Sequence, residues 1–402
     1  MEVKPGYKQT EVGVIPQEWE VKTLGEIGEA LIGLTYKPTD VRQHGTLVLR
    51  SSNIQNDALA FDDNVFVDTA IPERIMVLND DVLICVRNGS RDLIGKSALL
   101  DNRTKGMTFG AFMAVYRSQI GKLASYLFQS AILKRQINEH LGATINQITN
   151  KSINSFRIPV PPLPEQRAIA TALSDVDGLL GVLDRLIAKK RDLKQAAMQQ
   201  LLTGQTRLPG FHSRWEDKRL GDVAEIVMGQ SPSSLYYNTS GMGLPLIQGN
   251  ADIDNRKTIK RIFTTQITKR GKRGDILMSV RAPVGEISRA EFDVCLGRGV
   301  CAIRYNNDFM YHCLINLEQT WAKHSKGSTF DSVNSADVKS LEIRQPTDSS
   351  EQIAIAAVLS DMDAELAALE QRRDKTRALK QAMMQELLTG KTRLVAPREV
   401  HT

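Results

Sequence analysis

The chain has 402 residues, 42% of them hydrophobic, enough to build cores in two or three domains. Its net charge of +6 and pI near 9.0 point towards a polyanionic partner without deciding the matter. Cys85, Cys295, Cys301 and Cys313 form no CxxC pair, the first twenty residues lack the apolar core of a signal peptide, and no run of 18 apolar residues occurs. A disulfide scaffold and a membrane-spanning protein are set aside, and a soluble cytoplasmic protein is expected.

In chain order, residues 1–160 read as a first globule of short β-rich runs (LVLR, DVLICV, FMAVYR) separated by Asn, Gly, Ser and Asp clusters, with a helix over ASYLFQSAILKRQINEHL. The proline-rich IPVPPLPE leads stiffly into a long helix within residues 161–208. Pro164 suits its first turn, where a missing N–H costs nothing. A second globule over 209–346 repeats the pattern with DILMSV, CAIRY and the helix DFMYHCLINLEQTWAKH. A second long helix lies within 347–394, with Ser349 and Gln352 in a capping-box spacing. The tail is 395–402.

The helices are one sequence written twice. Residues 165–208 and 351–394 are identical at 26 of 44 positions without a gap, which identifies an internal duplication. Both copies end in LLTG, placing Gly204 and Gly390 at a left-handed cap. Ile169, Leu173, Val176, Leu180, Leu183 and Ile187 alternate steps of four and three, as do Ile355, Leu359, Met362, Leu366 and Leu369. That is a coiled-coil seam, and each copy is the other's nearest available partner. A second row (Ala172, Leu179, Leu186, Leu193) is expected to widen the buried stripe. The globules repeat more faintly: Trp19 with LGEI matches Trp215 with LGDV, DVLICVR matches DILMSVR, FGAFMAVYR matches LGRGVCAIR, and GATINQITNKS faces GSTFDSVNSAD. The expected fold is therefore α+β: two similar globules separated by two long antiparallel coiled-coil helices, related by a pseudo-twofold duplication.

No catalytic pattern stands out. GSRDLIGKS (89–97) resembles a phosphate-binding loop but has five residues between its glycines where four are needed, and its counterpart RAPVGEIS carries Glu286 in place of the lysine. IPVPPLP lacks the polar residue and the ring of an amino-methyltransferase loop. Cys295, Cys301, His312 and Cys313 have no regular ligand spacing and read as buried structural residues. No metal site is expected.

The chemistry that recurs is that of nucleic-acid contact. NRKTIKRIFTTQITKRGKRGD (255–275) concentrates Arg256, Lys257, Lys260, Arg261, Lys269, Arg270, Lys272 and Arg273, suited to phosphates. Reading bases needs Arg, Lys, Asn or Gln at loop tips. The first globule offers Tyr36, Lys37, Arg50, Ser52, Asn53, Arg87, Asn88, Ser90, Arg91 and Asn146; the second offers Tyr236, Tyr237, Gln248, Asn250, Arg281 and Arg298, with Lys257 and Arg261 from the basic run.

Taken together, the EQxAIAxxLSD openings, the LKQA and LLTGxTRL endings, the IPVPPLPEQ lead-in and the RSSNIQN segment resemble the specificity subunit of type I restriction-modification enzymes, over roughly residues 7–394. The resemblance implies a non-catalytic subunit whose two target-recognition domains each read one half of an asymmetric, bipartite sequence in double-stranded DNA. It implies two modification subunits that bring S-adenosylmethionine and methylate adenine N6, and two restriction subunits using ATP and Mg. Two other readings compete. One is a single-chain nuclease or methyltransferase, which needs a catalytic motif; the other is a coiled-coil adaptor, which needs no matched polar loops.

Overall fold

The computed structural model describes residues 4–141, 146–324 and 332–395, with the backbone alone for 319–324. Parts of the GATINQITNKS and GSTFDSVNSAD segments and most of the tail lie outside the described residues. The chain forms two compact units, residues 1–183 with 372–402, and residues 184–371. Each unit therefore holds one globule, the start of one long helix and the end of the other.

In the first unit a four-stranded antiparallel sheet runs Gly28–Ile32, Met113–Ser118, Val82–Cys85, Ser97–Leu99. A second sheet runs Val41–Arg42, Phe66–Val67, Thr46–Leu49, Thr108–Phe109, the last pair parallel. Successive strand residues face opposite sides. Leu83, Cys85 and Val115 accordingly pack with Leu47, Leu49 and Phe109 of the second sheet. Val82, Ile84 and Tyr116 turn the other way, against Leu127, Phe128 and Leu133 of the helices Gly121–Gln129 and Ala131–Leu141. Both faces are covered, which explains why DVLICV reads as a continuous apolar run rather than an alternation. The single helix expected over ASYLFQSAILKRQINEHL is broken at Ser130, whose hydroxyl donates to Leu127 O at 2.6 Å and accepts from Ile132 N.

The second unit repeats this plan. Its main sheet runs Glu225–Met228, Val300–Arg304, Ile276–Ser279, Ile287–Arg289, then adds the hairpin Ile253–Asp254 and Lys257–Thr258. Its other sheet runs Tyr237–Asn238, Phe263–Thr264, Leu244–Ile247, Val294–Leu296, Arg270–Gly271, and a helix spans Phe309–His324. His312 on that helix is buried, with Nε2 at 3.0 Å from Ser360 Oγ and Nδ1 unpartnered. Burial pushes its pKa down from 6.5 to about 4. The unfolded chain then binds a proton that the folded one refuses, so stability should fall as pH drops from about 6.5 towards 4. Thermal unfolding between pH 7 and pH 4.5 should show this loss, and His312→Leu should flatten it.

The first rod is a helix over Leu163–Leu201 and the second over Ser349–Leu387. The second starts at Ser349 itself, so the cap is Asp348, whose carboxylate accepts from Ser350 N at 2.8 Å, and not Ser349 as expected. Gly204 and Gly390 close the two copies at φ +72° and +68°, a left-handed turn in which a Cβ would overlap Pro16 at Gly390 and press tightly on Trp215 at Gly204. Within each unit the rods run antiparallel. In the first, Lys380 Nζ meets Asp177 at 2.7 Å; in the second, the duplicated pair Lys194 and Asp363 meets with the roles exchanged. Ile169, Leu173, Leu183, Ile187, Ile355, Leu359 and Leu366 are buried, while Val176, Leu180, Met362 and Leu369 are half-buried. The second row widens the stripe only in part: Ala172 and Leu186 are half-buried, whereas Leu179 and Leu193 are 40% and 46% exposed. A helix pair buries one narrow seam, and the remaining cover comes from the globule, against which Ile169, Leu173, Met384 and Leu387 pack.

The duplicated rod ends form one lock, present in both units. Arg393 holds Glu165 through two bonds of 2.6 and 2.7 Å, and Trp19 Nε1 donates to the same carboxylate at 2.9 Å. Arg207 holds Glu351 likewise at 2.5 and 2.6 Å, beside Trp215. The EQ that opens one rod is thus clasped by the TRL that follows the other.

Candidate nucleic-acid interface

In the first globule the strand Thr46–Leu49 delivers Arg50 into a single 3-10 turn, Ser51–Asn53. Asn53 is fully buried: its Oδ1 accepts from Arg50 N at 2.9 Å and its amide donates to Ala60 O at 3.0 Å. It shapes the loop and offers nothing to a ligand, a correction to its place among the base-reading candidates. An Asn carboxamide can satisfy a tight turn's donors and acceptors at once, which loop polarity alone does not reveal. Tyr36, Arg50, Ser52, Arg87 and Asn88 converge from separate loops on one cleft of about 770 Å³. Its rim carries Phe112, 59% exposed, with the Arg87 guanidinium 5.0 Å above its ring. Phe112 was not legible as a site residue, because FGAFMAVYR reads as one buried strand; the strand begins only at Met113. Asp63 was missed too, and holds Arg50 at 2.8 Å.

Four candidates lie off this cleft. Lys37, Ser90 and Asn146 are exposed, Asn146 being adjacent to Gln147, which bridges to Arg87. Arg91 lines a separate hollow of about 330 Å³ with Lys96 and Lys134. GSRDLIGKS connects the antiparallel strands Val82–Cys85 and Ser97–Leu99. No helix follows it, so it lacks the helix N-terminus a phosphate loop requires.

The second globule uses the same frame with other side chains. Leu244–Ile247 delivers Gln248, and Asp252 takes the part of Asn53, accepting from Gln248 N at 2.8 Å. Gln248 Nε2 donates to Tyr237 Oη at 2.7 Å, and Gln248, Asn250 and Arg261 line a smaller pocket of about 320 Å³. Asn250 bonds Glu286, and Arg261 pairs with Asp252 at 3.3 Å. Tyr236, Arg281 and Arg298 are exposed.

The basic run proves uneven. Arg256 sits in a left-handed turn with both terminal nitrogens on Glu318, at 2.6 and 2.7 Å, and also donates to Ile287 O, so it braces the globule. Arg270 pairs with Asp293 at 2.7 Å and Lys257 with Glu291 at 3.5 Å. Exposed pairs like these are worth little and exchange readily for a phosphate. Lys269, Lys272 and Arg273 are exposed with no side-chain ion pair among the described residues. The cysteines are all buried; burial holds the Cys313 thiol well above its usual range and Cys301 at about 12, so both stay protonated and are poor metal ligands.

Residues 16–189 and 212–377 match the family described as type I restriction modification DNA specificity domain, once per globule with its rod. The chain belongs to this family. A putative type I restriction enzyme MjaX specificity subunit from Methanocaldococcus jannaschii is 30% identical over 96% of this chain and 97% of its own. The EcoKI specificity subunit of Escherichia coli K12 is 25% identical, over 59% of this chain and 54% of that one. Among solved structures, a chain from work on complex assembly and conformational transition of the type I R-M system is 25% identical with TM-score 0.58, covering 94% of this chain and 99% of that chain. The S subunit from M. genitalium shares the fold at TM-score 0.63 and 16% identity, covering 96% and 98%. The specificity subunit is the DNA-recognition, non-catalytic member of its multi-subunit system. No described helix is long and apolar enough to cross a membrane.

Proposed function

We propose that each globule of this specificity subunit reads one half of an asymmetric, bipartite sequence in double-stranded DNA. The observation that carries this is the recurrence of one loop frame with different side chains: Arg50, Ser52, Arg87 and Asn88 around the first cleft, Gln248, Asn250 and Arg261 around the second. Similar frames place the readers alike relative to a half-site, and unlike side chains make the halves unlike. An adaptor that bridged proteins through its rods alone would need neither.

The rods set the half-site spacing and dock two modification subunits, which bring S-adenosylmethionine and methylate adenine N6; restriction subunits add ATP and Mg chemistry. An adenine must leave the stack before it is methylated, so the methyltransferase has to be placed by something that has already found the site. The test is to co-express the chain with its modification subunit and map methylated adenines genome-wide. A two-part, non-palindromic motif is expected. A single contiguous or palindromic motif, or S-adenosylmethionine binding by the chain alone, would sink the reading.

A further inference from the structure

We propose that Arg87 and Arg281 are the guanine-reading residues, one for each half-site; the proposal rests on the half-site reading above. The two are equivalent by the duplication, each following an inner strand of its sheet, Val82–Cys85 and Ile276–Ser279. Their backbones are held on both sides in matching register. Val86 N donates to Phe112 O at 3.1 Å and Val280 N to Gly299 O at 2.9 Å. From the opposite side, Ile148 N donates to Val86 O at 2.8 Å and Val333 N to Val280 O at 2.9 Å. Bridges from Arg87 to Gln147 and from Arg281 to Ser332 complete the brace. A reader needs such a fixed origin, since a small misplacement spoils a two-bond contact.

The other arginines that line the two clefts are occupied: Arg50 is tied to Asp63 and Arg261 to Asp252. Arg87 and Arg281 are exposed and make no ion pair among the described residues. Their five donors are therefore unspent on carboxylates, and a planar fork of that kind matches the O6 and N7 of guanine in the major groove. Arg87 has one further feature: its guanidinium lies 5.0 Å over the exposed Phe112 ring, which orients the plane before DNA arrives. In the second globule the aligned position is Gly299, so Arg281 has no such platform.

The test uses the complete complex with its modification subunits, carrying Arg87→Ala, Arg87→Lys, Arg281→Ala or Arg281→Lys. Each is assayed for methylation and binding on duplexes in which every recognised base pair is replaced in turn. Arg87→Ala should lose roughly tenfold or more of its discrimination at one G·C pair in one half, leaving the other half intact. Arg281→Ala should do the same in the opposite half. The lysine variants keep the charge without the fork, so they should lose discrimination as the alanine variants do while binding DNA more tightly than those. Phe112→Ala should weaken discrimination in the first half alone. Uniform weakening across all duplexes, with no base relaxed, would make the arginines phosphate contacts and overturn the proposal. So would relaxation of the same half by both variants, or a wild-type half-site with no G·C pair. A wild-type motif that is not bipartite would instead defeat the half-site reading, whichever way the variants behave.

Discussion

Arg393→Ala should destabilise the first unit by about 3–5 kcal/mol, the cost typical of stripping the partner from a buried charge. Glu165 is 1% exposed, and Arg393 supplies two of its hydrogen bonds; Trp19 Nε1 supplies the third and cannot neutralise it. The same guanidinium also bonds Glu18 at 2.6 Å, so a second carboxylate loses its partner. Arg393→Lys should recover little, because an ammonium cannot make the paired bonds of the fork. Glu165→Gln in the Arg393→Ala background should restore a large part, since a neutral amide no longer carries a buried charge. Urea unfolding followed by Trp fluorescence, for the three variants and wild type, measures this directly. A loss below about 1 kcal/mol in Arg393→Ala would mean that the rod ends are held by apolar packing alone.

Lengthening both rods should move the recognised halves apart and leave their bases unchanged. Four residues inserted between Leu183 and Asp184, and four between Gln371 and Arg372, add about 6 Å of helix to each rod. Those positions lie outside both locks and between the charged pairs, so Asp177 with Lys380, Lys194 with Asp363, and the two Arg–Glu clasps all keep their neighbours. At ~3.4 Å per base pair, the spacer in the methylated motif should grow by one or two base pairs. The same insertion in one rod alone should instead lower the yield of folded protein, since one lock must then miss its register. A lengthened protein that methylates at the old spacing would show that the rods do not measure distance.

The rods were legible because their signals are local and repeated: a seven-residue alternation, a glycine cap and an ungapped second copy. The meaning of their ends was not, because Glu165 finds Arg393 across most of the chain, and no spacing rule joins residues so far apart. The clefts divide along the same line. Loop polarity drew attention to Arg50, Arg87 and Gln248, whose positions at strand ends are local features. It could not tell that Asn53 is sealed inside its turn, that Asp63, Asp252 and Glu318 occupy three of the arginines, or that Phe112 turns outward. Each of those depends on a partner delivered by tertiary folding. The basic run misled for the same reason: a charge count sees Arg256 as a phosphate hook, whereas Glu318, on another element, has already claimed it.

The exchange of rod halves between the two units bears on the order in which a ribosome can finish them. The second unit is one uninterrupted stretch, residues 184–371, and everything its core needs has emerged once that stretch is made. The first unit begins earlier but waits for residues beyond 371, because Met384, Leu387 and Leu388 complete its apolar core and Arg393 neutralises Glu165. Vectorial synthesis usually lets the leading domain settle first. Here the leading domain is the last to close. Until it does, Ile169 and Leu173 lack the helix that packs with them, and Glu165 lacks Arg393.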